Sequence, residues 1–79
     1  MDEKTFTKEL FNYIRDRTIY VKQGGRLPYV SWKGAKAFGK KLGFDARPVL
    51  MAVQILEEKD LIYKQWDNKI GQYRYIAKR

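Results

Sequence analysis

Ser31-Trp32-Lys33-Gly34-Ala35-Lys36-Ala37-Phe38-Gly39-Lys40-Lys41-Leu42-Gly43-Phe44, continued by Asp45-Ala46-Arg47-Pro48-Val49 through Lys59-Asp60-Leu61-Ile62, is the stretch that decides the fold. It reads as two short helices joined by a tight turn. Ser31 is a good N-cap, because its hydroxyl can accept from a free N–H of the first turn. In the helix that follows, Ala35, Phe38 and Leu42 share one face, and Lys33, Lys36 and Lys40 share the other. Gly34 and Gly39 each cost about 1 kcal/mol of helix propensity relative to Ala. The expected compensation at Gly39 is close approach of another helix, and Gly43 ends the helix. Asp45 is expected to cap the next helix, where its charge suits the positive end. Pro48 falls in that helix's first turn, where a missing N–H leaves no bond unmade. Val49, Val53 and Leu56 form a buried stripe, with Leu50, Met51, Gln54, Glu57 and Glu58 partly or wholly outside it.

Downstream the periodicity changes from helical to alternating. Leu61-Ile62-Tyr63-Lys64-Gln65-Trp66 and Tyr73-Arg74-Tyr75-Ile76-Ala77 are strand-like, and Asp67-Asn68-Lys69 supplies turn chemistry between them. A β-hairpin therefore follows the second of the two helices. Upstream, Phe6, Leu10, Ile14 and Val21 fall on one helical face, with Tyr13 and Arg17 beside them. The spacing predicts a helix from about residue 3 to 21, capped by Asp2 or Thr5 and ended by Gly24-Gly25. Thr18-Ile19-Tyr20-Val21 is β-branched and aromatic, so a hairpin turning at Gly24-Gly25 competes with that helix end. Leu27-Pro28-Tyr29-Val30 is expected to be extended, since Pro28 disfavours helix at Leu27.

Seventy-nine residues make one domain, spanning 1–79. Such a chain is small for independent stability, and four Phe, six Tyr and two Trp help to fill its core. It has no Cys and no His, so disulfides and the usual zinc ligands are excluded. No apolar run approaches the length of a bilayer span, and the N-terminus lacks a signal-peptide core. An intracellular, cytoplasmic protein is expected. The net charge is +8 and is segregated along the chain. Residues 21–48 hold seven basic groups against Asp45, and residues 64–79 hold five against Asp67. Between them lies an acidic stretch with Glu57, Glu58 and Asp60. Solubility alone accounts for a net charge but not for its segregation, which points to a polyanion, most simply nucleic acid.

In order and spacing the chain resembles the winged helix-turn-helix family over about residues 31–77, with the first helix completing the fold. Phe38-Gly39-Lys40-Lys41-Leu42-Gly43-Phe44 matches the family's Leu-Ala-x-x-Leu-Gly-hydrophobic helix ending, with Gly39 at the small position. Val49, Val53, Leu56, Leu61 and Ile62 match its third helix and the strand that follows. Asp60 replaces the Gly often found at that turn, a change that Asp tolerates because it can adopt left-handed angles. Small size and lack of Cys also look like the stand-alone winged-helix proteins of archaeal viruses and plasmids, which would place the protein in a virus's host cell. The resemblance implies an α+β fold of three helices plus a C-terminal β-hairpin wing.

It also implies double-stranded DNA as partner and transcriptional regulation as the role, with the third helix in the major groove. On that helix Arg47 can read guanine and Gln54 adenine, while Met51, like Pro48 and Leu50, suits a thymine methyl or a protein surface. Lys33, Lys36, Lys40 and Lys41 would take phosphates; the alternative is a solvated face. Lys64, Lys69 and Arg74 on the wing would take a second backbone segment or the minor groove. Lys22 and Arg26 form a basic loop that is equally well read as a solvated turn. Trp66, near the wing tip, either stacks on a base or, the slightly favoured placement, folds back over Tyr73 or Tyr75. Tyr13, Tyr29, Tyr63, Tyr73 and Tyr75 are expected in core and rim, and Trp32 against the first helix. A homodimer on a two-fold site would improve specificity, with Leu50, Met51 or the first helix as its surface. The alternatives are an RNA-binding or ribosome-associated winged helix and a protein-interaction module. Catalysis is not expected: Ser31 is the only Ser and serves as a cap, Glu57, Glu58 and Asp60 read as a solvated helix end, and Gly24-Gly25 lacks phosphate-loop spacing. No cofactor and no metal are expected.

Overall fold

The computed structural model describes residues 1–20 and 29–78. The turn expected at Gly24-Gly25, the helix end expected at Val21, the basic loop expected at Lys22 and Arg26 and the extended segment expected at Leu27-Pro28 lie outside the described residues. Six elements follow one another: α1 (Glu3–Tyr20), β1 (Val30–Ser31), α2 (Trp32–Lys41), α3 (Ala46–Glu58), β2 (Ile62–Asp67) and β3 (Gln72–Ala77). The fold is α+β, with three helices and a three-stranded antiparallel sheet of order β1-β3-β2.

The sheet corrects one expectation. The hairpin forms, but a third strand lies on its far side, with Val30 opposite Tyr75 and Ser31 opposite Arg74. Two residues are too short to display an alternating pattern, so the sequence marked this segment only as extended. The hairpin strands are also shifted outward by a residue at the turn. The turn is Asn68 to Gly71, with Gly71 at φ +66. Asp67 holds it twice: its carbonyl accepts from the Gly71 N–H at 2.9 Å and its carboxylate from the Lys69 N–H at 2.9 Å.

The helix ends follow from single residues. The Asp2 carboxylate accepts from the Thr5 N–H at 2.7 Å, and hydrogen bonding from the Thr5 side chain and backbone holds the Asp2 carboxyl below its usual range. Ser31 Oγ accepts from the Gly34 N–H at 3.1 Å. Asp45 stands at the N-cap of α3 in extended backbone, but its side chain makes no capping hydrogen bond. That expected bond is therefore corrected, and any favourable effect of Asp45 on α3 is purely one of charge. Both α2 and α3 end in the same way. Gly43 at φ +90 and Asp60 at φ +62 turn left-handed. The Phe44 N–H then reaches back to the Gly39 carbonyl at 2.8 Å, and the Leu61 N–H to that of Leu56 at 3.0 Å. These are paired Schellman ends, each satisfying orphan carbonyls.

The core is Phe6, Leu10 and Ile14 of α1, Val49, Ala52, Val53 and Leu56 of α3, and Val30, Ile62, Tyr75 and Ala77 of the sheet, with Ala35 from α2. Aromatic stacking joins α1 to the α2–α3 corner: Phe6 lies 4.3 Å from Phe44, and Tyr13 lies 4.5 Å from Phe38, between ring centroids. Trp32 packs half-buried against this core. Val49 of α3 sits directly over Gly39 of α2, the close approach expected there. Buried Thr18 bonds α1 to the sheet: its hydroxyl donates to the Ile14 carbonyl and accepts from the Ala77 N–H at 3.0 Å.

Candidate nucleic-acid interface

The four lysines of α2 are all exposed, because the opposite face of the helix is taken by Ala35, Gly39 and Phe38. Lys33, Lys36 and Lys40 lie on one helical stripe, and Lys41 lies beyond Ala37 at the helix end. The Lys36 ammonium stands 5.6 Å over the Trp32 ring, which fixes part of its reach. The start of α2 is anchored to β3, since the Lys33 N–H donates to Gln72 Oε1 at 2.7 Å. No local signal in the sequence connects these two residues, which are far apart along the chain.

On α3 the buried stripe of Val49, Ala52, Val53 and Leu56 directs Arg47, Leu50, Met51 and Gln54 outward. Leu50 and Met51 are 44% and 47% exposed, so an apolar strip runs between the Arg47 and Gln54 side chains. Glu58 is exposed at the far end of the same helix.

The hairpin separates its candidate residues. Strand alternation puts Lys64 and Trp66 on the core-side face and Arg74 on the other, paired with Gln65. Lys64 lies 3.8 Å from Glu57 of α3 and 4.8 Å over the Tyr73 ring. Arg74 is bound on three sides, by Asp67 at 3.6 Å, by Gln65 Oε1 at 3.2 Å and by the Tyr29 ring at 5.2 Å. Lys69 is exposed in the turn. Trp66 packs edge-on against Tyr73 at 5.1 Å yet remains 53% exposed, and its indole N–H donates to Asn68 Oδ1 at 2.7 Å. It is folded against Tyr73, as favoured, and still presents surface. Asn68, two residues away, carries only a turn signal in the sequence. Of the tyrosines expected in core and rim, Tyr75 is buried, Tyr13 and Tyr29 are half-buried, and Tyr63 and Tyr73 are exposed.

Among the described residues, Lys33, Lys36, Lys40, Lys41, Arg47 and Lys69 have no ion-pair partner. The acids of the α3 end are engaged elsewhere: Glu57 faces Lys64, and Asp60 accepts a hydrogen bond from Lys78 that raises the Lys78 pKa above its ordinary value. Among the described residues, the positive charge of α2 and the first turn of α3 is thus not neutralised by ion pairs. In comparisons with known proteins, no family model, no curated protein and no solved structure matches the chain.

What the residues can do chemically is bind anions through ammonium and guanidinium groups and offer one half-exposed indole for stacking. The described residues contain no group of three or more His, Cys, Asp or Glu arranged to hold a metal, and no helix long and apolar enough to cross a membrane.

Proposed function

We propose that this chain is a winged helix-turn-helix protein that binds double-stranded DNA and acts as a transcriptional regulator. The observation that carries this reading is the set of six exposed cations on α2, at the start of α3 and at the hairpin tip, none of them ion-paired among the described residues. A phosphate backbone is the partner that rewards such a surface, because each neutralised phosphate releases a counterion. In this reading α3 lies in the major groove with Arg47 and Gln54 at base edges. The α2 lysines and Lys69 hold phosphates, and Trp66 touches the backbone beside the wing. A homodimer on a two-fold site would extend the contact.

Fluorescence anisotropy with duplex DNA at several salt concentrations tests this. Contact with four to six phosphates gives a log K against log salt slope of roughly −4 to −5. Arg47→Ala should relax base preference, whereas Lys36→Ala should weaken all sequences alike and reduce the slope by about 1. Equal losses on preferred and random duplex for Arg47→Ala would remove its reading role. Tighter binding of duplex RNA in a parallel titration would favour the RNA-binding alternative. Exposed Leu50 and Met51 support a second reading, a protein-interaction module, and absence of any nucleic-acid binding at low salt would favour it.

A further inference from the structure

A groove of about 520 Å³ opens between the first turns of α1, the end of α3 and Leu61, just before β2. None of the candidate nucleic-acid residues lines it. Its floor is apolar: Phe11 from α1, Ile55 and Leu56 from α3, and Leu61. Ile55 and Leu61 are each 37% exposed within it, apolar surface that packing could have covered. Its rim is basic, with Lys4 and Lys8 on one side and Lys59 on the other, against the single acid Glu3. Among the described residues these three lysines form no ion pair.

We propose that this groove binds a soluble amphipathic anion: an aliphatic or aromatic body on the Phe11–Leu61 floor, with a carboxylate or similar head group among Lys4, Lys8 and Lys59. The size falls in the range of small-molecule sites, which combine mostly apolar walls with a few polar groups that fix orientation. The charge decides the class. A neutral body would satisfy the floor but leave three ammonium groups without partners, and a cation would be repelled by them. The volume decides the source: about 520 Å³ is the size of a pocket that takes one dissolved molecule. The site is independent of the DNA reading and stands or falls separately.

Isothermal titration calorimetry with sodium decanoate, below its micellar concentration, tests the proposal on the full chain. One saturable site is expected. Decanol and decyltrimethylammonium should bind about tenfold more weakly or not at all, in line with two or three near-surface charge contacts. Lys8→Glu with Lys59→Glu should lower decanoate affinity by a similar factor. Ile55→Asp, at a part-exposed position, should abolish it while thermal melting shows the fold retained. Amide shifts on binding should centre on Thr7, Lys8, Phe11 and Ile55. No saturable binding, equal affinity for the three amphiphiles, or shifts centred elsewhere would overturn the site. Phosphatidylglycerol vesicles, which any basic chain attracts, should bind the charge-neutral variant Ile55→Asn as well as the parent. Vesicle affinity that falls with Ile55→Asn while decanoate fails to bind would assign the groove to a membrane and overturn the proposal as well.

Discussion

Val49 stands so close over Gly39 that any Cβ added to Gly39 would penetrate its Cγ2 methyl, with Phe6 Cζ a further 3.3 Å neighbour. This contact sets the spacing of α2 and α3, and through it the relation between the α2 lysines and the outer face of α3. Gly39→Ala gains about 1 kcal/mol of helix propensity but overpacks the corner at a cost of about 1–3 kcal/mol. A net loss of stability is expected in urea unfolding. Gly34→Ala is the internal control. A Cβ there meets Ser31 and Val30 at 3.4 Å, near-ordinary contact, so it should be neutral or stabilising by up to about 1 kcal/mol. Adding Val49→Ala to Gly39→Ala should cost less than the sum of the two single changes, because the cavity of one receives the methyl of the other.

Thr18 is the polar hinge between α1 and the sheet. Its hydroxyl is the hydrogen-bond partner of the Ala77 N–H. Thr18→Val keeps the volume but leaves that N–H buried without an acceptor, a loss of about 1–3 kcal/mol. Thr18→Ser keeps the oxygen and should recover most of the loss. Chemical denaturation of both variants checks the order. Equal destabilisation would mean that packing of the Thr18 methyl, and not the bond, joins the elements.

The helices and the hairpin were legible because their signals are local. The Ser31 cap, the apolar stripe of α3 and the left-handed turn at Asp60 each depend on residues a few positions apart. Asp60 was readable although it is not Gly, since its short polar side chain tolerates a positive φ. The third strand was not legible, because Val30 and Ser31 become a strand only through pairing with Tyr75 and Arg74. The same limit holds at the candidate interface. Counting charges found Lys64 and Arg74, but only the fold brings Glu57 to one and Asp67 to the other. The exposure of the α2 lysines was legible, since helical spacing alone turns them away from Ala35 and Phe38.

The Lys64–Glu57 contact yields a prediction within the DNA reading. At 3.8 Å and partly exposed, the pair contributes little to stability, about 0–1 kcal/mol. Its effect on DNA should be larger than its effect on folding, because Glu57 both occupies Lys64 and repels phosphate. Glu57→Gln is expected to raise duplex affinity about two- to fivefold and to steepen the salt dependence, with little change in melting temperature. Unchanged affinity would remove Lys64 from the proposed interface and leave the α2 lysines and Arg47 to carry it.

Tyr75 predicts a distinctive alkaline limit. It is buried at 2% exposure in the centre of the sheet, and burial, reinforced by the charge of Glu57 and by Tyr73, pushes its phenol from 10.0 up to about 12. The folded chain therefore keeps a proton that the unfolded chain releases. Its contribution is complete below the unfolded value and is lost as pH rises through the folded one, so stability should fall between about pH 10 and 12. The loss is at most about 2–3 kcal/mol. The comparison that isolates Tyr75 is its own variant. Tyr75→Phe should show a shallower decline of urea midpoint over this range, whatever its stability at neutral pH. Glu57→Gln should be intermediate, because it removes one cause of the raised pKa and leaves the burial. Identical alkaline slopes for all three chains would mean that the Tyr75 hydroxyl reaches solvent freely enough to ionise in the folded state.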